Sequence, residues 1–455
     1  MGKKPLNLTT DPLPRLVVAI AIPSALGMLF NTLFNVADMV FAGGLGTGAV
    51  AALSISFPLY FLITAVGSGL SQGATALIAH ELGRGEGDRA RGIFLQAVSL
   101  SVVVGVLLAI CGVMATPAVL RFLGAADSYH EQAVIFMRVI FSGSPFFTLL
   151  MTLNCLLSAS GRNTPYRNVL ILGFFANCAL NPILMWGLFG LPAMGVAGLA
   201  LATVLVQAGG CLYLGAVVLE HLRGHAGWRA KWTLDFPEQK KILHQAIPTM
   251  LNMISIACGV FILTWFAQAF GTEAIAAMGL ESRIEQVVLL PAIGISSAML
   301  SLTGQNLGAG FPHRIRDAWI ICLKFSVSLM LVGGLVIVAF SEPLLGLFTR
   351  DPLVIRHGRD YLFVSSLTLA AYPILFSTVF MMQGLKKPAY GLLMGIYRQI
   401  LGPFLLLSVL IGHFQLGLPW VWWGFSIVTW SAALFALLLG LNALNKLSSA
   451  TSVPG

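Results

Sequence analysis

Long apolar runs separated by short polar breaks repeat along the whole chain, and they do not alternate with a period of two. Residues 100–110 and 327–340 carry no charge at all. About 20 apolar residues cross a bilayer core as a helix, whereas a barrel strand needs about ten residues of alternating character. The pattern therefore predicts helices. Reading the runs between breaks gives twelve expected spans: 15–42, 50–80, 92–118, 130–158, 166–188, 193–219, 242–268, 274–304, 317–341, 358–382, 389–411 and 419–444. Several are too long for a straight perpendicular crossing, so tilt, kinks or protruding ends are expected.

Composition fixes the solvent. Of 455 residues, 57% are hydrophobic and 9% charged, with a mean hydropathy of +0.89; soluble domains carry about 25% charged residues. A chain so poor in charge needs lipid around it, and in lipid every backbone polar group has to be paired internally. The formal charge of +9 does not indicate nucleic acid, because no segment interleaves aromatic residues with Lys and Arg on a polar face. Instead the basic residues sit in short connectors, where they set orientation. Eighteen of the 26 Lys and Arg fall at the N-terminus and in alternate loops, five on the opposite side, and Arg283, Lys324 and Arg398 within spans. By the positive-inside rule both termini are cytoplasmic. The basic start, residues 1–15, leads into an apolar stretch longer than a signal peptide's, which reads as an uncleaved first span. The six cysteines lie inside apolar runs without metal-ligand spacing.

The chain repeats itself. Shifted by 225 residues, 21–91 and 246–316 share 20 identities in 71 ungapped positions. Ala21-Ile22-Pro23 meets Ala246-Ile247-Pro248, Leu82-Gly83 meets Leu307-Gly308, and Arg89 and Arg91 meet Arg314 and Arg316. The unit is six spans, and both copies start from the same side, the parallel repeat related by an axis along the membrane normal. The expected fold is an all-α integral membrane protein with twelve transmembrane helices in two six-helix bundles related by a pseudo-two-fold axis along the normal. Expected domains are 1–220, a cytoplasmic linker at 221–241, and 242–455. Such repeats build transporters; a channel or scaffold is the simpler competing reading.

The motifs resemble those of the MATE (multidrug and toxic compound extrusion) transporters. They include the early Ala-Ile-Pro, Asn35-Val36-Ala37-Asp38 followed by Phe41 and Gly44, and the Leu82-Gly83-x-Gly85 loop. Arg283-Ile284-Glu285 with Pro291 and Gly294, Gln305-Asn306-Leu307-Gly308-Ala309-Gly310, and Gln383-Gly384 before Pro388 follow in the family's order. Asp38 in the first span with Asn177 in the fifth is most similar to the DinF-like branch. The resemblance implies two bundles forming a V around a central cavity. It also implies antiport of organic cations or amphipathic drugs against protons, with sodium as the alternative ion. An inner-membrane location, a monomer and no cofactor beyond the coupling ion complete the expectation.

Asp38 is the leading candidate for coupling. It lies deep in a span otherwise free of charge after Arg15, where an ionised carboxylate is costly and marks an ion path. A proton and an organic cation would compete for it. Asn177 and Asn181, four apart, share a helix face; with Asn35, Asn154 and Thr203 they are expected to form a polar pocket beside Asp38. The resembling branch often has an Asp where Asn181 stands, so this chain lacks one carboxylate. Pro23 removes a backbone bond in the same helix, and the resemblance implies bending there. In the eighth span Glu281 and Glu285 share a face, with Arg283 between them on another. Their expected counter-ion is a substrate cation, a proton, Lys324 or Arg398, and together with Arg283 and Arg398 they form the expected charges of a C-terminal cavity. Another branch carries an acid in the seventh span; residues 251–261 have none. Twenty-nine Phe and 16 Met suit an adaptable pocket and equally an ordinary membrane core. There is no phosphate loop, zinc-spaced His pair or nucleophile elbow, so no enzyme is expected. A flippase for a lipid-linked substrate is the alternative, kept open by Arg283 and Arg398.

Overall fold

The computed structural model describes residues 6–223 and 234–451, and their regular structure is entirely helical. The first half contains α1 Leu13–Leu45, α2 Thr47–Gly83, α3 Gly87–Phe122, the pair α4 Asp127–Ser142 and α5 Ser144–Ala159, α6 Thr164–Trp186 and α7 Val196–Arg223. The second contains α8 Phe236–Ala267, α9 Thr272–Gly308, α10 Pro312–Gly346, and the pair α11 Pro352–Thr368 and α12 Ala371–Gly384. It ends with α13 Ala389–Ile396 and α14 Gly402–Leu407, each followed by a π-helical stretch (Tyr397–Leu401 and Ser408–His413), and α15 Pro419–Thr451. Among the described residues ten helices are long and apolar enough to cross a membrane, and the two bent pairs raise the number to twelve.

Proline explains the two broken spans. The α4/α5 pair bends by 45° and the α11/α12 pair by 48°. Pro145 opens α5 directly after the break at Gly143, and Pro373 follows the break at Leu369 and Ala370. Each proline lacks an N–H and crowds the carbonyl four residues back. Both breaks fall in the fourth span of their repeat, so the bend is inherited with the repeat. α1, by contrast, continues as helix through buried Pro23. At 37 residues, α2 and α9 are about 55 Å long, well beyond a hydrocarbon core of about 30 Å.

Packing departs from the expected domains 1–220 and 242–455. The chain forms two compact units, one of residues 1–25 with 251–455 and the other of residues 26–250. The divisions fall two residues after Pro23 and two after Pro248. Each unit thus takes its first helical segment from the other half of the sequence. In the unit containing the C-terminus, Leu8, Leu13, Leu16, Val17 and Ile20 bury against Ala298, Met299, Leu302, Trp319 and Met381. In the other, Ile242 and Ala246 join the core of Leu70, Ala74, Ile78 and Phe94. Glycines at one repeat position make the room. A Cβ on Gly294 would lie 3.0 Å from the Ala21 carbonyl oxygen, and one on Gly69 would lie 3.1 Å from that of Ala246. Small residues allow such close helix approach in membranes.

Polar clasps hold both incoming segments. Arg314 Nη2 donates to the Asp11 carbonyl at 2.8 Å and its Nε to Asn306 Oδ1 at 3.1 Å, while Asn306 Nδ2 donates to the Leu8 carbonyl at 3.1 Å. In the other unit the Asp235 N–H and Gln239 Nε2 donate to Gln96 Oε1 at 3.1 and 3.3 Å. Of the expected linker, residues 224–233 lie outside the described residues; 221–223 finish α7, and 236–241 open α8.

Candidate functional site

The unit of residues 26–250 carries a polar pocket on its own α1, α6 and α7. Asp38 on α1 is only partly exposed. Asn181 Nδ2 on α6 donates to Asp38 Oδ1 at 3.0 Å and to Asn177 Oδ1 at 3.0 Å. Thr203 Oγ1 on α7 lies 3.3 Å from Asp38 Oδ2 and 3.2 Å from the Leu199 carbonyl. Asn177, Asn181 and Thr203 are buried. The i, i+4 spacing of the two asparagines puts one amide above the other on α6, which is how a single helix delivers a relay of amides to the carboxylate. Among the described residues no Lys, Arg or His pairs with Asp38. Tyr60 on α2 stands within electrostatic reach of it.

Of the five residues expected to share a pocket with Asp38, three assemble around it and two do not. Asn177, Asn181 and Thr203 assemble around Asp38. Asn35 is exposed and its amide donates to the Asn31 carbonyl at 2.9 Å; three residues before Asp38 on the same helix, it satisfies itself locally. Asn154 joins none of these hydrogen bonds, and its Oδ1 is buried without a partner.

The unit of residues 1–25 and 251–455 carries a second polar cluster, around Glu281 and Glu285 on α9. Glu281 is fully buried. The hydroxyls of Tyr361 and Ser365 on α11 lie near its carboxylate, yet neither oxygen receives a well-formed hydrogen bond, and the Ser365 hydroxyl is turned to the Leu362 carbonyl. Glu285 is half-buried, beside the Tyr372 hydroxyl of α12 and within electrostatic reach of Arg398. Arg398 sits in the π-helical turn Tyr397–Leu401, with Cζ 4.6 Å from the Tyr372 ring centre and 5.4 Å from that of Phe425, and Nε 3.4 Å from Thr429 Oγ1. Such π turns are frequent at functional sites. Tyr361 stacks on Trp422 at 4.1 Å and 6°. Glu285, Tyr361, Ser365, Tyr372 and Trp422 line a cavity of about 10 Å³, room for one water molecule.

Arg283 and Lys324 are not part of this cluster. Both are exposed, and neither forms an ion pair among the described residues. One turn of helix separates Glu281 from Glu285, and Arg283 points elsewhere, as its spacing requires. The aromatic members Tyr361, Tyr372, Phe425 and Trp422 were not singled out from the sequence. Tyr372, in the middle of the uncharged run 362–382, was the available signal, since a buried phenol needs a polar partner; Tyr361 directly follows Arg359 and Asp360 and carried none.

The arrangement matches a known family along most of the chain. The MatE family model matches residues 23–183 and 248–406, one block in each copy of the internal repeat. The chain belongs to the MatE family. A protein named FAD transporter from Shewanella oneidensis is 26% identical over 87% of this chain and 87% of its own length. A probable multidrug resistance protein NorM from Thermotoga maritima is 29% identical over 75% and 73%. Among solved structures, one described as the outward-facing conformation of a multidrug resistance MATE family transporter of the MOP superfamily aligns with a TM-score of 0.91 and 25% identity. That alignment covers 99% of this chain and 100% of the other. MatE proteins are transporters and not enzymes, and this member is a multi-pass membrane protein with the family's two-lobed, all-helical fold.

Proposed function

We propose that this MatE transporter exports cationic or amphipathic organic compounds in exchange for protons, with Asp38 as the group for which proton and substrate compete. The observation that carries this reading is the state of Asp38. It is a membrane-embedded carboxylate held by Asn181 and Thr203, with no basic side chain paired to it among the described residues. A carboxylate so placed is neutralised by a proton or a bound cation, and intramembrane acids of this kind mark ion paths. In each cycle a proton from outside neutralises Asp38, weakens its hold on the cation and releases the cation outward. Alternating access, both termini in the cytoplasm, a monomer in the cytoplasmic membrane and the lack of any cofactor beyond the coupling ion belong to the same reading. The probable multidrug resistance relatives support the substrate class.

A second reading, carriage of an anionic amphipath such as a dinucleotide or a lipid-linked phosphate, is favoured by Arg283, exposed on α9 and without an acidic partner among the described residues, and by the relative named for FAD. Efflux of ethidium from proteoliposomes under imposed pH or sodium gradients separates the readings. Efflux driven by the pH gradient, abolished by Asp38→Asn and unaffected by FAD, supports proton antiport. A sodium gradient as the only driver replaces the ion. Flux that ignores both gradients, or an Asp38→Asn variant that matches wild type, overturns the mechanism.

A further inference from the structure

The acids of α9 have no role in that cycle, yet burying them carries a cost that something has to offset. Glu281 and Glu285 are one helical turn apart, and the charged or titratable groups facing Glu281 are Glu285 on its own helix and Tyr361 from α11. Tyr372 from α12 lies on the Glu285 side, and Arg398 beyond it. Lys324 of α10 is exposed and pairs with neither acid among the described residues. With both acids ionised the cluster holds two negative charges against one guanidinium, leaving one buried charge unmatched, which low-dielectric surroundings do not tolerate. The guanidinium is already committed to the Glu285 side, over Tyr372 and Phe425 and bonded to Thr429. The remaining carboxylate, Glu281, is fully buried with two unpartnered oxygens.

A metal ion does not suit the vacancy in charge, because Arg398 repels a second cation and, among the described residues, no three His, Cys, Asp or Glu side chains gather to hold one. A proton does suit it. The repeat places the cluster: Glu285 stands at the position of Tyr60, the residue of the other unit that lies within reach of Asp38, and Glu281 one turn earlier stands at that of Ser56. Asp38 itself corresponds to Leu263. Each unit therefore holds a membrane acid in the same neighbourhood, supplied by the first helix of one repeat and the second helix of the other.

We propose that Glu281 is a second proton-binding site, separate from Asp38, whose proton balances the Glu281–Glu285–Arg398 cluster and is given up when the charge of that cluster changes. The binding step moves one proton onto a Glu281 oxygen and breaks no other bond. The test is infrared difference spectroscopy of the purified full-length protein in lipid, reading the carbonyl band of a protonated carboxylic acid at neutral pH. In an Asp38→Asn background one such band is expected to remain, to disappear on an alkaline step, and to be lost in Glu281→Gln. It is also expected to be lost in Glu285→Gln, where the Glu281 carboxylate has to neutralise Arg398 instead. A purely structural role for Glu281 predicts no such transfer. A band unchanged in Glu281→Gln, or its absence from Asp38→Asn protein, overturns the proposal. If Glu281→Gln does not fold, Glu285→Gln decides: persistence of the band there overturns it too. Because Asp38 is already removed, none of these outcomes depends on whether Asp38 drives transport.

Discussion

The side-chain amide of Asn181, in the fifth span, donates to the carboxylate of Asp38, in the first, at 3.0 Å. A hydrogen bond to a charged group is worth about 1.5–3 kcal/mol. Asn181→Ala is therefore expected to weaken binding of a fluorescent organic cation roughly ten- to a hundredfold, measured by fluorescence titration at a pH where wild type binds. Thr203→Val is expected to cost less, about 1 kcal/mol, because its hydroxyl is also spent on the Leu199 carbonyl. Equal affinities in all three proteins would remove Asn181 from the site.

Glycine substitutions where the helices cross should rank by what the added carbon meets. At Gly73 it meets the backbone N and Cα of Ala246 at 2.9 and 3.1 Å, which cannot swing aside. At Gly69 its nearest neighbour is Cγ of the Met250 side chain, which can change rotamer, and the nearest backbone atoms stand at 3.1 Å. Gly73→Ala is expected to destabilise by about 1–3 kcal/mol and Gly69→Ala by less. Gly43, with nothing nearby, should tolerate Ala. Thermal unfolding in one detergent, followed by tryptophan fluorescence, gives the order.

Arg314→Ala removes the donor to the Asp11 carbonyl and to Asn306. The segment before α1 should then loosen, by about 1–3 kcal/mol for the charged hydrogen bonds lost. The readout is limited proteolysis: cleavage within residues 6–12 should be faster in the variant, while sites in the α2–α3 loop keep their rate. An unchanged cleavage pattern would show that apolar packing alone holds the segment.

By contrast, Arg84→Ala should hardly matter. Its pair with Glu86 at 2.9 Å is well exposed on both sides, and such pairs contribute about 0–1 kcal/mol. A melting temperature indistinguishable from wild type is the expected result, and a clear drop would reveal that the α2–α3 loop works as a network with Glu81 and Arg89.

The fold was legible because lipid imposes a coarse rule: every span has to be long and apolar, and each of the twelve expected runs coincides with a helix, a bent pair or, at 389–411, the α13–α14 stretch with its π-helical turns. The prolines at 145 and 373 were visible, but which proline bends a helix depends on its neighbours; Pro23 lies in continuous helix while Pro145 opens a new one. The carboxylates of both sites were visible as charges out of place. Their partners were less so. Asn181 and Asn35 look alike in the sequence, and only the rotation of α6 against α1 decides that one reaches Asp38 while the other bonds to its own helix. The exchange of first segments was hidden for the same reason, since apolar residues at 13–20 do not say which core they enter.

That exchange has a consequence for how the chain comes to be folded during synthesis. The unit of residues 26–250 is unfinished until Ala246 and Met250 have left the ribosome, because Gly69 and Gly73 have nothing to close against before then. The segment 6–20, made first, has to wait still longer, for α9, α10 and α12. Neither repeat expressed alone would carry a complete core, so two half-length chains split within 224–233 should assemble only when both are present in the same membrane.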